Sequence, residues 1–228
     1  MNTSYRPRRS VLYMPAANER ALEKAKDIPA DALIFDLEDA VSPESKEIAR
    51  DHACAAVASG EYGNRELTIR CNGLDTPWGS DDILAAAAVA PAAVVTPKVN
   101  GPEYLDEVSA LLDEGGAPDS TRIWAMVETP VGILEVGRIA QHERMAVMVM
   151  GTNDMAKELR ATITADRQAL LPHLAKCLLS ARAANKAILD GVYNDIKDDA
   201  GFASVCRQGC LLYTSDAADD TPCVDLGG

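Results

Sequence analysis

Seven times along this chain a short apolar or β-branched run gives way to a longer stretch of helical periodicity. That alternation restricts the fold more than any other feature. The strand-like runs are 10–15, 32–37, 66–71, 93–99, 122–128, 145–150 and 187–192. Helical patterns occupy 18–26, 43–58, 80–89, 102–114, 131–140, 165–185 and 198–207. Strand and helix alternating at about 25 to 35 residues per unit is the pattern of a parallel sheet with right-handed crossovers. Local start signals agree. Ser42-Pro43 offers an N-cap and a first-turn proline, with Lys46 and Arg50 on one face of the helix that follows. Gly101-Pro102 opens a second helix in the same way.

Two architectures satisfy this alternation, an open doubly wound sheet and a (β/α)8 TIM barrel. The turn after the first strand reads MPAANER and lacks the glycine fingerprint that cradles a dinucleotide, which disfavours the first. A barrel takes about 250 residues, and the eighth strand would begin where the sequence changes character. From Cys210 the chain reads CLLYTSDAADDTPCVDLGG, without helical or strand period. Leu211-Leu212-Tyr213-Thr214-Ser215 is the translation of CTCTTATACACATCT, the end of a transposon-type sequencing adapter. The sequence therefore predicts an α/β TIM barrel truncated before the eighth strand. Residues 1–209 form the incomplete barrel domain, and 210–228 are adapter read-through to be set aside before reasoning about fold.

Composition removes several function classes. The formal charge of −13 leaves no basic excess to neutralise phosphates, so neither nucleic acid nor an anionic membrane is an expected partner. The most apolar stretch, 83–95, is alanine-rich and broken by Pro91, which excludes a membrane span. MNTSYRPRRS passes directly into VLYMP without a signal-peptide core. The cysteines at 54, 71, 177, 206, 210 and 223 form no CxxC pair and no short-chain disulfide framework, so a cytoplasmic location is expected. No GxSxG elbow or P-loop occurs.

The chemistry of a parallel α/β sheet gathers at the C-terminal strand ends. Here those ends carry Asp36-Leu37-Glu38-Asp39, Arg70 with Asn72-Gly73, Pro97-Lys98, Glu128-Thr129-Pro130, Gly151-Thr152-Asn153-Asp154, and Asp190 with Tyr193-Asn194-Asp195. Charges adjoining apolar strands are costly unless paired or metal-bound, so their recurrence on one face is the strongest signal in the residues. Glu128 and Asp154 suit a hard cation such as Mg²⁺, with water or substrate oxygens completing the shell. They equally suit helix caps, and spacing alone leaves both readings standing. Arg70 offers a fork of donors to a carboxylate or an enolate oxygen, or a salt bridge to the Asp36-Glu38-Asp39 cluster. A Schiff base at Lys98 lacks the apolar surroundings that would depress its pKa. His52, His142 and His173 fall in helices or their ends, away from this face, and Cys71 reads as a buried structural thiol.

These residues sit in segments that resemble a known family. RSVLYMPAANERALEKA, ALIFDLEDAVSPESKEIAR, TIRCNGLDTPWGSDD, VVTPKV, VETPVGILEV, VMGTNDMAKEL and DGVYNDIKDDAGFASVCRQG are similar, in order and across residues 9–209, to the HpcH/HpaI aldolase/citrate lyase superfamily. Within it they resemble the citrate lyase β-subunit and malyl-CoA lyase group. The resemblance implies an Mg²⁺-dependent barrel enzyme that cleaves a 3-hydroxyacyl thioester into an acetyl thioester and a 2-oxo acid. It implies Glu128 and Asp154 as metal ligands and Arg70 as the arginine that holds the oxo acid and stabilises the enolate. Asn153 and Asp154 match the turn that receives the substrate carboxylate. Glu38 and Asp39 match acids beside the metal waters, and Tyr13 and Lys24 match positions near coenzyme A. A malyl-CoA thioesterase on the same scaffold is the alternative activity. A pyruvate-dependent class II aldolase would want a histidine in the barrel mouth, and a partner-dependent lyase subunit is the non-catalytic reading. Relatives assemble as trimers or hexamers, so a homo-oligomer is expected, with acyl-carrier or other lyase subunits as candidate partners. The chain departs from the pattern at PAANER, where Asn18 stands in place of an arginine, and in lacking an eighth strand and a C-terminal lid.

Overall fold

A computed structural model describes residues 6–213 and 224–225. Eight parallel strands lie in the order β7-β6-β5-β4-β3-β2-β1-β8. Seven carry the sheet: β1 (Ser10–Pro15), β2 (Ala32–Asp36), β3 (Glu66–Arg70), β4 (Ala93–Thr96), β5 (Arg122–Val127), β6 (Met145–Met150) and β7 (Ala187–Leu189). The last, β8 (Val224–Asp225), pairs two residues with Ser10 and Val11 of β1 and falls in the segment set aside as read-through. β7 and β8 end the order, so among the described residues the sheet is an arc of parallel strands open between them. The architecture is that of a partial barrel.

Side-chain alternation sorts the apolar residues onto two faces. Leu12, Met14, Leu33, Phe35 and Ile69 face the helices in the larger core. Val11, Ile34, Val95, Trp124, Met126 and Val149 form the inner cluster, where fully buried Ala32 and Ala93 leave room for the Trp124 indole. This period of two decides where the polar ends point. Continuing Ile34 by two residues gives Asp36, Thr68 gives Arg70, and Trp124 and Met126 give Glu128. Each lies on the inner face.

The helices are α1 (Glu19–Ala25), α2 (Lys46–Ser59), α3 (Gly79–Val89), α4 (Pro102–Glu114), α5 (Pro130–Ala140), α6 (Thr152–Leu159), α7 (Leu171–Ala183) and α8 (Asp199–Tyr213). The Ser42-Pro43 signal opens a single 3₁₀ turn, 43–45, before α2 begins at Lys46. α2 ends at Gly60 with φ 70°, a left-handed conformation that glycine adopts without steric cost. Two differences from the sequence expectation stand out. The eight-residue α6 was not among the predicted helices, because its one apolar face, Thr152, Met155, Ala156 and Leu159, spans only two turns among polar residues. The helix expected at 165–185 begins only at Leu171, after a connection in which Arg160 and Arg167 have φ 54° and 53°. α8 runs past residue 209 without a break. No helix among the described residues is long and apolar enough to cross a membrane.

Candidate active site

The inner-face strand ends enclose a cavity of about 340 Å³, lined among others by Tyr13, Asp36, Arg70, Glu128, Asp154 and Asp190. Arg70 is 8% exposed. Its Nε and Nη2 donate to Asp36 Oδ1 and Oδ2 at 2.7 and 2.6 Å, a bidentate pair across neighbouring strands. Asp36 is fixed in turn by the backbone N–H groups of Glu38 at 2.8 Å and Ala40 at 3.2 Å. The remaining nitrogen, Nη1, lies 2.9 Å from Glu38 Oε2 and 3.6 Å from Asp39 Oδ2. The Tyr13 ring sits 5.0 Å from the guanidinium carbon. The structure thus shows Arg70 in the salt bridge to the Asp36-Glu38-Asp39 cluster: one edge is locked to Asp36, and Nη1 is turned toward Glu38 and Asp39.

Glu128 is 3% exposed, and its Oε1 accepts the Lys98 backbone N–H at 2.7 Å. Lys98 reaches this position with φ 51°, a left-handed conformation. Gly151 packs against the same carboxylate, and a Cβ there would collide with Oε2. Burial, aided by the Asp154 charge and only partly offset by the Lys98 N–H and Arg70, pushes the Glu128 carboxyl up to about 7. The capping alternative does not hold for either residue. Thr129 caps α5, its Oγ1 accepting from Gly132 N–H at 3.0 Å, and α6 is entered through Gly151, so Asp154 lies inside the first turn.

Two oxygen-bearing side chains, one buried and short of positive partners, with neither histidine nor thiolate beside them, fit a hard divalent cation. No group of three or more His, Cys, Asp or Glu suited to a metal occurs among the described residues. Any cation here would keep positions for water or substrate.

The other predicted residues fall as follows. Glu38 is a partly buried acid whose carboxyl burial pushes up to about 7, against the lowering influence of Arg70. The Asp39 side chain is 71% exposed at the rim. Asn153 is exposed and exchanges amide hydrogen bonds with Asn194 at 3.0 and 2.9 Å. Tyr13 lies under Arg70 rather than outside the cavity, while Lys24 is exposed in the last turn of α1 and is not brought to it. The amine of Lys98 is not depressed. The charges of Glu38, Asp154 and Glu128 raise it despite burial, which argues against a neutral nucleophile. Burial pushes the Cys71 thiol well above its ordinary value, in keeping with an inert thiol. His142 lies 3.2 Å from Asp106, and His52 Nδ1 lies 3.1 Å from the Ala16 carbonyl; neither lines the cavity.

Sequence reasoning missed two participants. Asp36 was visible only as a member of an acidic run, although the period of two singles it out as the inward residue of β2. Arg167 was passed over because the sequence placed it inside the helix expected at 165–185, whereas the structure puts it in the connection before α7. Its guanidinium grips Asp190 at the cavity wall through two 2.8 Å bonds, and its Nε reaches Gln208 on α8 at 2.7 Å.

Comparison with known proteins supplies the family. The chain is 46% identical over 203 residues to the (3S)-malyl-CoA thioesterase of a Cereibacter sphaeroides strain, covering 89% of this chain and 69% of that one. It is 35% identical to citrate lyase subunit beta of Escherichia coli, covering 86% and 67%. Among solved structures, protein CitE from Mycobacterium tuberculosis in complex with magnesium and acetoacetate superposes with a TM-score of 0.76 at 26% identity, covering 100% of this chain and 87% of that one. The family model for HpcH/HpaI aldolase/citrate lyase matches residues 9–212. The chain therefore belongs to the HpcH/HpaI aldolase/citrate lyase family, a family of enzymes.

Proposed function

We propose that this chain is an Mg²⁺-dependent carbon–carbon lyase acting on a 3-hydroxyacyl thioester of the malyl-CoA, citramalyl-CoA or citryl-thioester type. The observation that carries this reading is the meeting, in one cavity, of a fixed guanidinium on β3 and an under-compensated carboxylate pair at β5 and β6. Glu128 and Asp154 would hold the cation. When bound, it would act as a Lewis acid toward the oxygens of the oxo-acid half of the substrate. Arg70 Nη1 points where negative charge would develop, and its Asp36 lock removes reorganisation from the step. Glu38 is 2.9 Å from that nitrogen, with a carboxyl poised near 7 to accept and return a proton. Asp39 flanks it at the rim. The first turn of α6, including Asn153 and Asp154, presents backbone N–H groups without intrahelical acceptors, suited to a substrate carboxylate.

Tyr13 contributes by backing Arg70. Lys24 remains a proposed contact for the phosphates of coenzyme A, outside the cavity. Assembly as a trimer or hexamer, with or without acyl-carrier partners, is part of the same proposal.

A thioesterase reading is favoured by the names of the 46–47% identical relatives. Product analysis separates the two. Malyl-CoA with Mg²⁺ gives glyoxylate and acetyl-CoA if the lyase reading holds; malate and free CoA would replace it with the thioesterase. A chain inert on malyl-, citramalyl- and citryl-thioesters would overturn both.

A further inference from the structure

One layer behind Arg70, between the ends of β2 and β3 and helices α2 and α3, runs a chain of buried polar contacts. Lys46, the first residue of α2, is 6% exposed. Its Nζ donates three hydrogen bonds of 2.7 Å: to the carbonyls of Leu37 and Glu38, and to Asn72 Oδ1. An ammonium has three hydrogens, so its donor capacity is filled. The Trp78 ring, 5.4 Å away, covers it. Asn72 passes the connection on. Its Nδ2 donates to the Leu37 carbonyl at 3.1 Å and to Asp82 Oδ2 at 2.6 Å, and its backbone N–H meets that same oxygen at 3.0 Å. Asp82 is fully buried, and its other oxygen takes Arg50 Nε at 2.6 Å.

A buried ammonium is costly, and an apolar side chain would fill this volume without that cost. What the charge does here is local and specific. Two of its acceptors belong to the turn that carries Glu38, and the third belongs to the residue two places beyond Arg70. Lys46 therefore ties together the two turns whose side chains meet at the cavity.

We propose that Lys46 is a positioning residue for the reaction in the cavity, acting through Glu38 and Arg70. It holds the β2 turn so that Glu38 Oε2 and Arg70 Nη1 stay at 2.9 Å. The proposal deepens the lyase reading and rests on it for the catalytic consequence, though the positioning itself can be read without activity. Arginine cannot reproduce the arrangement, because its planar fork does not converge three donors on one point.

The test compares Lys46→Met and Lys46→Arg with the unaltered full chain in four readouts: melting temperature, Mg²⁺ affinity, affinity for pyruvate or glyoxylate in saturating Mg²⁺, and the ¹⁵Nε–H resonance of Arg70. The resonance is assigned by its loss in Arg70→Lys. Mg²⁺ affinity is expected to stay within about threefold, because Glu128 and Asp154 lie on other elements. Oxo-acid affinity and kcat are expected to fall at least about tenfold, with the Arg70 resonance displaced. Should Lys46→Met not fold, Lys46→Arg keeps the charge and carries the same expectation. A lowered melting temperature with oxo-acid affinity, kcat and the Arg70 resonance unchanged would overturn the proposal and leave Lys46 a structural residue only. If the unaltered chain cleaves no thioester, the lyase reading fails. A displaced Arg70 resonance in the variants would still uphold the positioning role, and an unmoved one would overturn it too.

Discussion

The two sides of the cavity are built on opposite electrostatic plans. On the β2–β3 side, Arg70 is matched to Asp36 by two short bonds, Asp36 is held by two backbone N–H groups, and Lys46 has every hydrogen engaged. On the β5–β6 side, Glu128 is buried with one backbone N–H and the repulsion of Asp154. The first arrangement is complete within the protein; the second leaves a buried carboxylate only partly compensated by Arg70 and Lys98, as the proposed cation site requires. On the proposed reading, the difference lets one cavity be rigid where charge would be received and open where a metal and substrate would enter.

The largest expected break comes from Arg70→Ala. It leaves Asp36 buried without its partner, so a loss of about 3–5 kcal/mol in denaturant unfolding is expected, with lyase turnover down by about 10³-fold or more. A variant with wild-type stability would mean that the β2–β3 side is not the self-contained unit described. Glu128→Gln is expected to do the reverse to stability. Because folding raises this carboxyl from 4.5 to about 7, the fold favours the neutral form, and stability falls as pH rises through that window. At pH 8 without metal, the amide should therefore stabilise the protein by about 2 kcal/mol, while calorimetry should find Mg²⁺ binding abolished. Destabilisation instead would place Glu128 on the same plan as Asp36.

The same shift predicts how metal binding depends on pH. Protons compete with the cation below about 7, so Mg²⁺ affinity should drop by about tenfold per pH unit there and level off above. A flat profile between pH 5 and 8 would remove Glu128 from the ligand set. The smallest effect is expected at the rim. Asn153→Ala breaks the exposed amide pair with Asn194, and thermal melts should register less than about 1 kcal/mol, with oxo-acid affinity changed by less than about tenfold.

Much of this was legible in the sequence because period and punctuation act locally. β1, β6 and α4 fall where alternation and Gly101-Pro102 place them, and the inward phase of each strand delivers Arg70 and Glu128 to one face. What the sequence left undecided was pairing across strands. Whether Arg70 met Asp36 or a ligand, and whether Glu128 capped a helix, depended on Thr129 and on the register of Asp36 against Arg70. α6 and the Arg167–Asp190 grip were not legible. α6 is only two turns long, and the grip joins an irregular connection to the strand end at Asp190, a pairing across the chain that local period does not record.

The left-handed backbone at Lys98 has a consequence for how this site would be mapped by mutation. The hydrogen bond that reaches Glu128 from there comes from a main-chain N–H, so that contact does not depend on the Lys98 side chain, whose charge acts on the carboxylate separately. Replacing Lys98 by alanine would leave that donor in place, and glycine would relieve the strained φ while keeping it. Proline alone both deletes the hydrogen and forbids the angle. A survey of charged side chains would thus pass over the group that aims the buried carboxylate, because the chain supplies it through its shape.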